Sequence, residues 1–207
     1  MLNIRFLEAV YGMLYFYGII PINDVFETAY KCGLCTPADY KVCLDIISYN
    51  LTKKKRMYIS KNKLCHRLLK NKNTVEDMQD HLKIASYKMF TADEFIEAGL
   101  SEIMINNEMR ELITELKQIC SMSWEYVEGE VLRVWTELNN MPDLICLTEE
   151  CIDNLDLNIT RKDFKFLNIL NYINKFANNM PRWFCKGYSY NETIYKNKNI
   201  YDQEKII

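Results

Sequence analysis

Cys32-Gly33-Leu34-Cys35 sets two thiols three positions apart, the one cysteine pair in the chain at a spacing suited to metal ligation or a redox couple. A tetrahedral zinc site needs two further thiolates or imidazoles. Cys43 and the Cys65-His66 pair are the candidates, but neighbours in an extended segment point to opposite faces, so only one of the latter two would serve. A redox couple works best at the start of a helix that follows a strand, where the helix dipole lowers a thiol pKa. Here the pair ends one apolar-periodic segment and precedes another. Three readings stay open: zinc held by Cys32 and Cys35, a redox couple, or two half-buried thiols in a helix-to-helix turn.

A second set of residues differs in kind. Between Ile46 and Val75 stand Lys53, Lys54, Lys55, Arg56, Lys61, Lys63, Arg67, Lys70 and Lys72, with no Asp or Glu among them. Nine positive charges in a chain of formal net charge -2 leave the remainder strongly acidic. Such asymmetry bears on partners and encounter rates rather than on fold. Phosphate-backbone contact requires only cations within reach and carries no sequence information. Alternatives are a solvated lysine-rich loop or a patch for an acidic protein surface.

Other chemistry is thin. There is no GxxxxGK[ST] and no GxGxxG, which argues against the two common nucleotide sites. His66 and His81 are the only histidines, and no Ser or Cys stands beside an evident base. Asp93, Glu94, Glu125, Glu128 and Glu130 supply carboxylates of the kind that hold a metal in a hydrolase or nuclease, a residual alternative to their reading as water-facing helix residues. The expectation is a non-enzymatic protein without a cofactor.

The elements that must position these residues follow from periodicity and punctuation. Ile4 to Tyr17 carries Leu7, Val10, Tyr11, Leu14 and Tyr17 at helical spacing, stopped by Gly18 and Pro21. A short second helix, capped by Asn23, holds Val25, Phe26, Ala29 and Tyr30 and ends near Gly33. Thr36-Pro37-Ala38-Asp39 opens a third, with Tyr40, Cys43, Leu44 and Ile47 on one face. Met57–Ser60 and Lys63–His66 read as two strands joined at Lys61-Asn62, with Asn supplying the positive φ. Three helices and a hairpin outline a winged-helix-like module over residues 1–70, its wing basic. The third helix carries Asp39 and Asp45 against Lys41, a poor complement to a major groove.

After a polar linker from Lys70 to Thr74 the pattern is helical throughout, giving an acidic all-α domain over 75–190. Its helices are expected from Val75 to Ser86, from Thr91 with Glu94 as capping partner, from Glu108 to Met122 and from Ser123 to Leu138. Two more open at Thr148 (Cys151, Ile152, Leu155) and at Thr160 (Phe164, Leu167, Leu170, Ile173, Phe176). Residues 191–207 read as a loosely held tail. Asn-Asn-Met-Pro recurs at 139–142 and 178–181, each time closing a helix, where Asn accepts a left-handed conformation and Pro blocks continuation. Trp183, beside Arg182 and Phe184, is a candidate partner-binding aromatic.

Asn178-Asn179-Met180-Pro181-Arg182-Trp183 with Lys186-Gly187-Tyr188-Ser189-Tyr190-Asn191-Glu192, and the opening Tyr17-Gly18-Ile19-Ile20-Pro21, resemble a loosely defined group of low-GC bacterial proteins. Many of that group continue into a small zinc-binding SEC-C tail. This chain carries Tyr190 where the group usually has Pro, and no Cys/His-rich tail. The resemblance implies a bacterial or mobile-element protein and no particular reaction.

The mainly α chain shows no apolar run near the roughly 18 residues of a membrane span and no signal-peptide pattern. The expectation is a cytoplasmic protein with reduced thiols. Its function is expected to be regulatory or adaptor, touching nucleic-acid backbone through Lys53, Lys54, Lys55, Arg56, Lys61, Lys63, Arg67 and Lys70. The alternative is a protein-binding module or inhibitor of phage or plasmid origin that works through its acidic helices.

Overall fold

The computed structural model describes residues 2–53, 56–82, 86–101, 103–120, 122–141, 152, 155 and 164–194. The chain is mainly helical, with a small antiparallel sheet, and divides into two units. The first unit comprises Met1–Lys72 and Ala85–Met104, and the second Asn73–Ile84 and Ile105–Ile207.

The first unit is built around α1 (Leu2–Tyr17). Phe6, Ala9, Val10, Met13, Leu14 and Tyr17 are fully buried, and Tyr15 and Phe16 nearly so, so α1 is enclosed from Gly12 onward. Gly18, at φ 69, ends it as the sequence predicts. Next come β1 (Ile19–Pro21), α2 (Ile22–Lys31), a 3-10 turn (Pro37–Asp39), α3 (Tyr40–Thr52), β2 (Met57–Ser60) and β3 (Lys63–His66). The sheet order is β1-β3-β2, with Ile19 opposite Cys65 and Tyr58 opposite Cys65 on the other side.

The hairpin falls where sequence placed it, but Lys61, at φ 54, takes the left-handed position assigned to Asn62. The Asn62 carbonyl instead accepts the Ile22 amide at 3.0 Å, fastening the turn to the start of α2. Asn23 does not cap α2: Pro21 holds the cap position, and its fixed φ suits a helix entry. Thr36 and Asp39 do close a capping box, in which the Thr36 amide and hydroxyl donate to Asp39 Oδ2 at 2.8 and 2.7 Å. Of the expected α3 face only Cys43 and Ile47 are buried, while Tyr40 is 45% exposed.

Helix α5 (Ala92–Leu100), which sequence assigned to the later domain, packs on α1 in the first unit. Its Thr91–Glu94 capping box forms as expected, with the Glu94 amide donating to Thr91 Oγ1 at 3.2 Å. Phe95 and Phe90 join Phe16 and Tyr17 in one aromatic cluster, Phe90 stacked on Phe16 at 3.8 Å between centroids. The Tyr17 hydroxyl donates to the Lys88 carbonyl at 2.5 Å and the Tyr15 hydroxyl to that of Met104 at 3.1 Å.

Two glycines set how closely α1 and α5 approach. A Cβ on Gly12 would lie 1.9 Å from the Phe95 carbonyl oxygen, and one on Gly99 would lie 1.7 Å from that of Glu8. The contact is reciprocal and antiparallel, each glycine meeting a carbonyl four residues from the partner glycine.

The second unit holds α4 (Lys72–His81, from Asn73 onward), α6 (Asn107–Cys120), α7 (Trp124–Asn140) and α8 (Phe164–Asn179). The polar linker ending at Thr74 is thus shorter than its composition implies, since α4 already begins at Lys72. Met109, Leu112, Ile113 and Leu116 of α6 and Val127, Val131, Trp135 and Leu138 of α7 are buried as their spacing predicts. The α8 stripe is rotated: Phe166, Ile169, Ile173 and Phe176 face inward, while Phe164 is 80% and Leu167 58% exposed. Thr148, Cys151, Thr160 and Pro142 lie outside the described residues, as do residues 195–207 of the expected tail.

Candidate functional site

Among the described residues, the basic side chains are engaged in different places. The Arg56 guanidinium lies over the Tyr11 ring, 4.3 Å from its centroid, and donates to the Gly99 carbonyl at 2.5 Å and to the Ser101 carbonyl. It therefore caps the C-terminal end of α5, where unsatisfied carbonyls and the helix dipole favour a cation. Lys53 Nζ sits 4.4 Å from the Tyr49 ring centroid. Lys54 and Lys55 lie outside the described residues.

The cations of the hairpin and its exit come together differently. Lys61 occupies the exposed turn, and Lys63 is half-buried directly across from Ser60 on the same sheet face. Lys72 Nζ donates to Ser60 Oγ at 3.0 Å, bringing a third lysine to the same end of the hairpin. Arg67 and Lys70, just beyond β3, are exposed. Lys61, Lys63 and Lys72 thus belong to the turn end of the hairpin, with the Lys72 ammonium on the Ser60 hydroxyl.

Cys32 and Cys35 are not brought together as a ligand pair. Cys32 Sγ reaches the Phe90 carbonyl at 3.5 Å, whereas Cys35 hydrogen-bonds with Cys43. Among the described residues no group of three or more His, Cys, Asp or Glu could hold a metal ion. His66 is buried and its Nδ1 accepts the Leu68 amide at 3.2 Å. Burial is the main cause that pushes the Cys43 thiol up to about 12, with nearby Cys35 and Asp39 adding, and burial pushes Cys185 up to about 11. Cys32 and Cys35 shift upward for the same first reason. These are the opposite of the depressed values that mark a reactive thiol.

Raised thiol pKa values set a direction for pH dependence. An unfolded chain, with thiols near 9.0, releases these protons before the folded one does. The stability they contribute is thus full below pH 9 and is lost as pH climbs toward 11 and 12. Thermal melting followed by far-UV circular dichroism is expected to fall across that window, and to fall less steeply in Cys43→Ala/Cys185→Ala. An unchanged slope in the double variant would remove this assignment.

Arg182 and Trp183, expected at a partner surface, are both fully buried. Trp183 packs edge-on against Trp135 with centroids 5.5 Å apart; its amide donates to Asn139 Oδ1 at 3.0 Å and its carbonyl accepts from Gln79 at 2.6 Å. Arg182 donates to the carbonyls of Ala177 at 3.3 Å, Met141 at 3.1 Å and Leu138. Those carbonyls close α8 and α7, so two helix C-termini share one guanidinium.

The repeated Asn-Asn-Met segments are also explained here, and not by left-handed asparagine. Asn139, Asn140 and Asn179 stay helical, and their side-chain amides donate back to Trp135, Thr136 and Lys175 carbonyls at 3.2, 2.9 and 2.8 Å. The Gly-Tyr-Ser-Tyr-Asn-Glu segment has a structural use too. Gly187 has φ 84, and the Ser189 amide donates to Glu192 Oε2 at 2.7 Å while Ser189 Oγ accepts the Glu192 amide at 3.2 Å.

Compared with known proteins, the chain matches no family model, no curated protein and no solved structure. Among the described residues no helix is long and apolar enough to cross a membrane.

Sequence reasoning missed Gly12 and Gly99. The available signal was a glycine inside each of two apolar-periodic helices, a position that costs about 1 kcal/mol against alanine unless close packing compensates.

Proposed function

We propose that the first unit is a winged-helix-like module whose wing tip contacts nucleic-acid backbone, in a non-enzymatic regulatory or adaptor protein. The element order helix, strand, helix, helix, strand, strand, with the first strand beside the last, supports the winged-helix reading. The observation that carries the function is that Lys61 stands exposed in the turn, Lys63 lies opposite Ser60 in register, and Lys72 reaches the Ser60 hydroxyl, all at one end of the hairpin. Three lysines at one end of a hairpin suit phosphate-backbone contact, which needs cations within reach and supplies no base readout. Arg56 drops out of the contact set because its donors serve α5. Asp45 on the exposed side of α3 agrees with backbone contact over groove reading.

Fluorescence anisotropy with a random duplex DNA and a single-stranded RNA, across a salt series, tests this. Binding is expected to fall steeply with salt, the log–log slope losing about 0.9 per lysine removed on duplex DNA. Lys61→Glu/Lys63→Glu/Lys72→Glu should abolish binding while leaving thermal melting within a few degrees of the parent. No binding at low salt, or an unchanged slope in the triple variant, overturns the proposal.

A further inference from the structure

Two thiols of the first unit lie in contact away from the hairpin. Cys35 stands just ahead of the Thr36 cap, Cys43 lies in the first turn of α3, and their side chains hydrogen-bond to each other. The Cys43 thiol donates and the Cys35 sulfur accepts, so the bond favours ionisation of Cys35 and opposes that of Cys43. Their surroundings differ in the same sense. Cys35 lines an open pocket of about 250 Å³ with Phe26 and Tyr30 of α2 and with Pro37 and Tyr40, whereas Cys43 is fully buried. One sulfur borders the pocket and the other stands behind it.

The chain between them is shaped to keep them together. Thr36 and Asp39 close their capping box at 2.8 and 2.7 Å, and Pro37–Asp39 form the 3-10 turn that leads into α3. A disulfide needs its sulfurs about 2.05 Å apart with a dihedral near ±90°. Thiols already in hydrogen-bonding contact approach that geometry by rotation about their Cα–Cβ bonds, and Cys35 lies outside any helix. Cys32 does not compete, because its Sγ is turned to the Phe90 carbonyl at 3.5 Å. The partner of Cys35 is thus Cys43 and not its neighbour in the Cys32–Cys35 motif.

We infer that Cys35 and Cys43 form a dithiol modification site for low-molecular-weight disulfides, which close a Cys35–Cys43 bridge by thiol–disulfide exchange. The Cys35 thiolate attacks one sulfur of the small disulfide; that S–S bond breaks, a mixed disulfide forms on Cys35 and one small thiolate leaves. The Cys43 thiol then gives up its proton and attacks the Cys35 sulfur, expelling the second small thiolate. The two protein thiols lose two electrons and two protons, and one small disulfide becomes two thiols. Burial is the first cause that holds both protein thiols protonated near neutral pH. Exchange is therefore slow, which suits a pair that records a redox change and not one that turns over as a catalyst. No hairpin lysine takes part, so the inference stands or falls apart from nucleic-acid contact.

The test equilibrates the full chain in glutathione buffers of graded oxidised-to-reduced ratio, quenches with acid, alkylates the remaining thiols and maps the peptides by mass spectrometry. As the ratio rises, Cys35–Cys43 is expected to be the first intramolecular bridge, with alkylation lost at both residues and restored by excess reduced glutathione. In guanidinium chloride the same linkage should lose its predominance, since the fold sets the pairing. Cys43→Ala should trap glutathione on Cys35, Cys35→Ala should leave Cys43 unmodified, and Cys32→Ala should bridge like the parent. Should a variant fail to melt like the parent, the map of the unsubstituted chain decides. A Cys32–Cys35 bridge in its place, no Cys35–Cys43 linkage at the most oxidising ratio, or glutathione trapped on Cys43 in folded Cys35→Ala each overturns the inference.

Discussion

Gly99→Ala is expected to unfold the first unit or to lower its melting temperature by about 15 °C, a destabilisation of about 3 kcal/mol or more. The new Cβ would stand 1.7 Å from the Glu8 carbonyl oxygen and 3.0 Å from the Gly12 amide nitrogen. Both are backbone atoms, so no rotamer change relieves the clash, and α1 and α5 must separate. Separation opens the aromatic cluster of Phe16, Phe90 and Phe95 and draws the α5 carbonyls away from Arg56. Gly12→Ala, facing the Phe95 carbonyl at 1.9 Å, should behave alike.

Gly129→Ala is the matched control. Gly129 lies in α7 with nothing within 4 Å of its would-be Cβ, so alanine should stabilise by about 0.5–1 kcal/mol. The readouts separate because all three tryptophans, Trp124, Trp135 and Trp183, belong to the second unit. Gly99→Ala should change far-UV circular dichroism while the Trp-detected transition persists. A Gly99→Ala protein that melts like the parent would refute the close crossing of α1 and α5.

Arg182→Ala is expected to destabilise the second unit by roughly 3–5 kcal/mol, seen as an early Trp-fluorescence transition. The estimate comes from stranding the two buried carbonyls, those of Ala177 and Leu138, at about 1–3 kcal/mol each, the Met141 carbonyl being open to water. Three acceptors lose their donor: Ala177 at the end of α8, and Leu138 and Met141 at the end of α7. The guanidinium also stacks 4.6 Å from the Phe184 centroid, so packing is lost along with charge. Arg182→Lys keeps the positive charge at the two helix C-termini but cannot span three carbonyls with one ammonium, and should recover only part of the loss. If Arg182 served an outside partner, Arg182→Ala would leave the melting curve where it is.

The two arginines show where local reading stops. Arg56 sits in a cationic run and Arg182 beside an aromatic, and both contexts argue for a contact surface. Each instead supplies the C-terminal carbonyls of helices in its own unit, Gly99 and Ser101 for Arg56, and Ala177 and Leu138 for Arg182. Those carbonyls lie 43 to 45 residues away for three of the four. No window of neighbouring residues contains them. Lysines of the hairpin differ because a hairpin is a local object, and its register alone sets Lys63 opposite Ser60.

What the amino-acid order determines by itself is whatever depends on a few adjacent residues. The Thr36–Asp39 and Thr91–Glu94 boxes follow from side chains bonding to backbone within four positions, the stop at Gly18 from a backbone conformation glycine adopts freely, and the bounds of β2 and β3 from a short run and its turn. Tertiary structure alone decides the rest. Ile19–Pro21 is too short to announce a strand and becomes one because β3 offers it an unpaired edge. Residues 85–104 join the first unit because Gly12 and Gly99 admit a backbone approach that larger residues forbid. Short-range hydrogen bonds can be read along the chain, whereas steric fit and the burial of a charge are properties of surfaces that exist only once distant segments have met.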